Sequence, residues 1–558
     1  MNIGNRASQH NFARIPDAQI PRSKFDRSFQ RKMTFDADYL VPIFVDEVLP
    51  GDTFNLSLTT FGRLATPIVP VMDNIKLDYF FFFVPNRLVW NNWQKFNGEQ
   101  DNPNDSTDYL IPQAGLSGAI TANSLQNYMG LPILSNVGLI PISALPFRAY
   151  NLIWNEWFRD QNLQNSIPVD KDDGPDNPAN YILRKRGKRH DYFTSALPWP
   201  QKGPSVELPL GIAAPVFPAN QTGNSEFSSW LSASDTQNLF RANFTSPVGT
   251  DYMRLKVNGG ATDTNSRPTQ FDPINTWDST QASVAQLQTH DKIFDQPVAL
   301  WTDLTDATAA TINQLREAFQ IQKLYERDAR GGTRYVEILR SHFGVISSDA
   351  RLQRPEYLGG GNSFVNINPI AQTSATDTNS PQGNLAAMGT MTGRGIGFQK
   401  SFEEHGYVIG LVSARADLSY QYGVNRLWNR KTRFDFYWPS LAHLGEQAVL
   451  NSELYVSGTT NDQKVFGYQE RYAEYRYKPS EIIGDFASNA PQSLDIWHLA
   501  QKLTATPALN SSFIESTTPI DRIIAVPTEP HFLWDGWFRY ITARPMPTYS
   551  VPGLVDHF

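Results

Sequence analysis

The feature that most limits this chain is where its strand-like stretches lie. Phe54, Leu56 and Leu58 alternate with Thr53, Asn55, Ser57 and Thr59, the period of two that marks a half-buried strand. Ile75, Leu77 and Tyr79 alternate with Lys76 and Asp78, after which the chain turns wholly apolar through the four phenylalanines 80–83. A strand that loses its polar face is covered on both sides. Ala414, Ala416 and Leu418 alternate with Ser413, Arg415 and Asp417, and the stretches 465–478 and 534–544 are rich in Tyr, Trp and Phe. Strand signals therefore crowd the first 90 and last 160 of 558 residues. A sheet fed from both ends must pair residues hundreds of positions apart. That predicts a mainly β sandwich broken by long insertions, not a meander.

Helical spacing is rare. Tyr150, Ile153, Trp154 and Trp157 fall at i, i+3, i+4 and i+7, which predicts an amphipathic helix over 147–162. Ile312, Leu315, Ala318 and Phe319 predict another over 311–330, ended by Arg327, Arg330 and the Gly331-Gly332 pair. Residues 219–289 are too polar for a main core, yet Phe227, Trp230, Phe240 and Tyr252 argue against a simple linker. They read as a surface excursion with a small core of its own. A second polar stretch, 371–395, has fewer rings and reads as a mobile segment.

Several chemistries fail on inspection. There is no cysteine, which excludes disulfide scaffolds, zinc ribbons and thiol nucleophiles. No two of the nine histidines lie within five residues, so no HExxH-type metal pair exists. The acidic run 170–176 departs from the EF-hand, because its glycine comes one place early and position twelve is Tyr181 rather than Glu, which leaves an acidic turn or, as the alternative, a calcium loop of another kind. The glycines of 393–397 lack the GxGxxG spacing and no clear strand precedes them, so no nucleotide site, metal or cofactor is assigned. The N-terminus has no apolar signal region, and the run Tyr79–Val84 is far below the roughly 20 residues of a membrane helix. A soluble protein without membrane insertion is expected.

The net charge of −7 gives no bulk affinity for nucleic acid, so any such contact needs a local basic patch. Two candidates stand out. Residues 1–33 carry Arg6, Arg14, Arg22, Lys24, Arg27, Arg31 and Lys32 against Asp17 and Asp26, with no evident helical or strand period. They read as an extended basic arm. Arg184, Lys185, Arg186, Lys188 and Arg189 place five cations in six residues, a phosphate-binding loop in functional terms. Single-strand binding pairs cations with rings for base stacking. Phe12, Phe25 and Phe29 lie within the arm, and Tyr181, Tyr192 and Phe193 flank the cluster. For each ring the alternative is ordinary packing. For the cations it is a solvated terminus, a solvated loop or a subunit salt bridge.

Long segments then carry a resemblance. They include 8–29, 34–58, DYFTSALPWPQKG (191–203), GRGIGFQKSFEEHGYVIG (393–410), FDFYWPSLAHLGEQAVLNSELY (434–455), 465–486, PHFLWDGWFRYITARPMP (530–547) and SVPGLVDHF (550–558). Together they closely resemble the major capsid proteins of the gokushoviruses, small single-stranded DNA phages of the Microviridae. The resemblance implies an eight-stranded viral jelly roll with long inserted loops and a few short helices, tiling a T=1 icosahedral shell around circular DNA. It implies four regions: a basic arm (1–33) facing the virion interior, a first jelly-roll part (34–218), a three-fold protrusion for host attachment (219–289), and the remaining strands (290–558). The implied partners are further copies of the chain in pentamers, packaged DNA, an internal scaffolding protein, a DNA pilot protein, a small basic internal protein and a host receptor. The implied locations are the virion and, during assembly, the host cytoplasm. The composition fits, since large rings supply contact area at low entropy cost. The rival class is a β-sandwich glycosidase or carbohydrate-binding protein with rings lining a sugar groove.

Overall fold

The structure is a computed structural model that describes residues 21–206, 216–218, 300–302 and 312–549, apart from positions 117, 139, 375, 379 and 380. Near the N-terminus the strands are β1 (Ser23–Asp26), β2 (Phe29–Phe35), β3 (Val41–Val48), β4 (Thr53–Leu64) and β5 (Ile75–Pro85). A short ribbon, β6 (Val216–Pro218) with β7 (Leu300–Thr302), belongs to a separate compact unit spanning 205–323. The remaining strands are β8 (Glu356–Ala371), β9 (Leu385–Ser401), β10 (Gly406–Ala416), β11 (Glu446–Leu450), β12 (Val465–Glu470) and β13 (Phe532–Arg544).

Nine of these form one antiparallel sheet, in the order β1-β13-β4-β9-β8-β5-β10-β3, with β2 also on β13. β1 pairs with 541–544 and β2 with 532–538, so they are two segments of a single broken edge. Eight strands then lie in two layers of four. β8 joins the layers: its residues up to Phe364 pair with β5, and those from Val365 onward pair with β9. The mainly β expectation holds, and the chain's two ends meet along β2, β13 and β4.

The layers face each other through rings. Phe44 of β3 lies 5.7 Å from Phe538 and 5.2 Å from Tyr540 of β13. Phe81 of β5 lies 5.5 Å from Phe398 of β9. The buried Tyr79 hydroxyl lies 3.3 Å from Thr60, Ser363 and the Trp534 indole N–H, which joins four strands. The outer face of β5 and β10 is covered as well. There Phe82, Val84, Ile409 and Leu411 pack with Trp90, Phe147, Tyr150 and Ile153. The last three sit on helix α1 (Leu145–Ile153), which continues as one π turn through Phe158. This second cover explains the unbroken apolar run in β5. The other helix expected from spacing is α2 (Ile312–Gly331), followed by α3 (Tyr335–Phe343).

Two expectations change. Residues 23–35, read as an arm without periodicity, are strands. The inward position Arg31 obscured their alternation, and its guanidinium donates to the carbonyls of Ile43 (3.1 Å) and Tyr128. The stretch 371–395 is the turn of a hairpin followed by strand: Ala371 pairs with Leu385 across the β8–β9 hairpin, and 393–397 lie inside β9. Gly397 is needed there, because a Cβ would collide with the Leu56 carbonyl of β4. Phe44→Ala is expected to cost about 3–5 kcal/mol by opening a cavity between the layers. Denaturant unfolding of the unassembled chain, followed by intrinsic fluorescence, checks this.

Candidate nucleic-acid and self-association surfaces

The 184–189 cluster is largely committed within the chain. Arg186 pairs with Asp78 of β5 at 2.7 Å and lies over Phe80 at 4.7 Å. Arg415 of β10 reaches the same carboxylate at 3.2 Å. Burial alone would raise Asp78, but Arg186 and Arg415 hold it below the usual carboxylate range. Burial and the neighbouring Arg186 bring Arg415 down to about 10. Arg189 pairs with Asp417, and Arg184 donates to the Asn180 carbonyl at 3.1 Å. Lys188 is buried over Phe513 at 4.3 Å, and burial pushes its amine down to about 8. Lys185 lies over Tyr39 at 5.6 Å and has no salt bridge among the described residues. The flanking rings are core: Tyr181 against Phe147, Phe193 against Tyr420, and Tyr192 donating to Glu453. The cluster thus staples the central strands to the loops above them.

The arm divides. Arg6, Arg14 and Phe12 lie outside the described residues, as do Phe227, Trp230, Phe240 and Tyr252 of the 219–289 insertion. Arg22 donates to the Gly51 carbonyl (2.5 Å), and Arg27 pairs with Asp46 (2.5 Å) over the Tyr540 ring. Phe29 stacks on Phe538 at 4.8 Å. Lys24 and Lys32 point outward without a salt bridge among the described residues. The acidic run 170–176 is a structural hub. Buried Arg148 pairs with Asp176 and Asp172, and Asp173 accepts from the Trp90 indole at 2.7 Å.

Sequence reading missed the most conspicuous surface. In the segment 426–438, Trp428 is 76% exposed, and Leu427, Phe434, Phe436, Tyr437 and Trp438 are each 42–55% exposed. The segment is held from below. Glu453, a buried carboxylate, accepts from Arg426 (3.1 Å), the Leu450 N–H (3.0 Å) and Tyr192 (3.0 Å). Burial raises Glu453 despite Arg426. Glu474 adds Arg430 at 3.5 Å and Arg426 at 3.9 Å. Above, Arg430 lies over Tyr475 and Arg433 over Trp438. Asp435 accepts from the Thr432 and Lys431 N–H groups, which hold it below its ordinary value. Contiguous rings presented outward on an ordered loop mark an interaction surface. The clue in the sequence was the ring density of 434–438, whose exposure depends on distant anchors.

Residues 13–554 match the family of the capsid protein (F protein). The chain is 51% identical, over the full length of both, to the capsid protein VP1 of Bdellovibrio phage phiMH2K. It is 46% identical to VP1 of Chlamydia phage 1 and 36% identical to VP1 of Spiroplasma virus 4, with 98% of each chain covered. The chain belongs to this capsid-protein family. These relatives are gokushovirus proteins of the Microviridae. The protein is therefore a major capsid protein, a structural component of the virion that associates with itself and is not an enzyme. Among the described residues no helix is long and apolar enough to cross a membrane.

Arg426→Ala leaves Glu453 buried without its cation and is expected to cost about 3–5 kcal/mol. Limited proteolysis should then cut first at Lys431 or Arg433. A pH effect follows from Lys188. The folded group loses its proton near pH 8 and the unfolded group near 10.5. Between these values the unfolded chain binds the extra proton, so stability rises with pH. Melting temperatures measured across pH 8–10 should rise more in the wild type than in Lys188→Met.

Proposed function

We propose that this capsid protein tiles a T=1 icosahedral shell that encloses circular single-stranded DNA. Assembly takes place in the host cytoplasm through pentamers. The reading rests on the exposed ring segment 426–438, anchored by Glu453 and Glu474. Six large apolar side chains outward in one short loop would be costly for a lone molecule. Against another copy they supply the aromatic and arginine content of an interface core. The full-length likeness to three phage VP1 proteins supports the same reading.

In this reading residues 219–289 form a protrusion at each three-fold axis that meets a host receptor, with Phe227, Trp230, Phe240 and Tyr252 at its core. The segment falls within the separate unit 205–323, which supports its role as an insertion. The basic N-terminal residues, Arg6 and Arg14 among them, face inward with Lys24 and Lys32. There they meet packaged DNA or a small basic internal protein. An internal scaffolding protein and a DNA pilot protein complete the assembly.

Light scattering and negative-stain microscopy of the expressed chain test the reading. Pentamers or closed particles are expected, while a monomer at all concentrations contradicts it. Trp428→Ala with Phe436→Ala should shift the population toward monomer. Deleting 219–289 should preserve particles but abolish adsorption to host cells.

A further inference from the structure

The two outer faces of the sandwich are not alike. The face formed by β5 and β10 is covered by α1 and its neighbours, whereas among the described residues the outward side chains of β2, β13, β4 and β9 stay largely exposed. Along β4 and β13 burial alternates strictly, and the outward residues include Phe61, Arg63, Leu533, Trp537 and Arg539. Phe61 and Trp537 are each 50% exposed. Trp537 sits opposite Thr59, two residues from Phe61 on the paired strand, so the rings are diagonal neighbours. Such positions lie about 7–8 Å apart on a sheet.

Cations surround these rings. Lys32 pairs in register with Asp535, which in turn faces Phe61, and Arg63 stands opposite Leu533. Lys24, Arg539 and Arg394 complete the outward set. Lys32, Arg63 and Arg394 have no salt bridge or hydrogen bond among the described residues. The outward carboxylates are Asp535 and Asp26. The first accepts from Gln30 at 2.8 Å and the second from Ser28 at 2.5 Å.

We infer that this open sheet face is a single-stranded DNA platform, on which bases stack upon Trp537 and Phe61 while Lys32, Arg63, Arg394 and Arg539 take the phosphates. An open β-sheet whose rings stack two or three bases is a known solution to single-strand recognition. Stacking is indifferent to sequence, as a packaging surface requires. The occupant follows from charge: five outward cations stand against two hydrogen-bonded carboxylates. A subunit contact would concentrate rings and exclude charge from its core. Here the outward cations outnumber the rings, whereas the 426–438 segment carries more aromatic rings than cations. The inference rests on the DNA-enclosing shell proposed above and moves the principal contact from 184–189 to this face.

The test is anisotropy titration of a labelled oligodeoxythymidylate with the unassembled full-length chain over a salt series. Trp537→Ala and Phe61→Ala should each weaken binding on the order of tenfold with little change in salt slope. Trp537→Phe should restore most of the affinity. Lys32→Gln with Arg63→Gln should instead flatten the log–log slope by about 0.7 per cation. Replacing the 184–189 cations with Gln should leave that slope nearly unchanged. Wild-type affinity in the ring variants, or an unaltered slope in the charge variant, overturns the inference. So does loss of assembly in the ring variants with oligonucleotide binding intact, which marks the face as a subunit contact. Nuclease-protected DNA in wild-type particles is scored separately. Its absence counts against the shell reading, whereas the oligonucleotide series alone decides the platform.

Discussion

The structure depends on the contact between two ring-bearing layers whose strands come from opposite ends of the chain. Phe44 and Phe81 project from one layer, and Phe398, Phe538 and Tyr540 from the other. Closing a loop of nearly 500 residues costs little more than closing one half as long, because the entropy grows only with the logarithm of length. Once the rings are buried, the long excursions between the strands are tolerated. The same interior explains the buried polar links. Arg27, Asp46 and Tyr540 tie the N-terminal edge, β3 and the C-terminal strand together.

The sandwich also divides the molecule's tasks. In one layer β5 and β10 are covered on both faces, which gives the rigid base from which the loops project. Arg186, Arg415 and Asp78 staple those loops to it, and Glu453 with Glu474 fixes the ring segment 426–438. A shell protein must present several fixed contact surfaces at once, and loops anchored by buried charges supply them at low entropy cost. Among the described residues the other layer exposes cations and rings in strand register on its outer face.

Much of the fold was legible because burial leaves a period. β4, β5 and β10 could be read from alternation, and the apolar run of β5 disclosed a second cover before any helix was placed. β2 was hidden because Arg31 takes an inward position, where two backbone carbonyls satisfy it. β9 was hidden by its glycines, of which Gly397 lies against the Leu56 backbone and Gly389 and Gly393 against side chains of neighbouring strands. The charge cluster 184–189 was visible, but its partners within the chain were not. Asp78 and Asp417 lie more than a hundred and more than two hundred residues away, and they hold Arg186 and Arg189 within the chain. The open-face rings Phe61 and Trp537 were equally invisible as a site, since each alone is an ordinary strand residue.

The central claim is that both ends of one chain close the same sheet. Thr34 of β2 and Leu533 of β13 are register partners, and the chain contains no cysteine of its own. Opposed residues on antiparallel strands lie at distances that a disulfide spans. Thr34→Cys with Leu533→Cys, oxidised in dilute solution and run on a non-reducing gel, is predicted to give a fast-migrating monomer closed by an internal bridge. A ladder of linked chains, or free thiols throughout, would contradict the account.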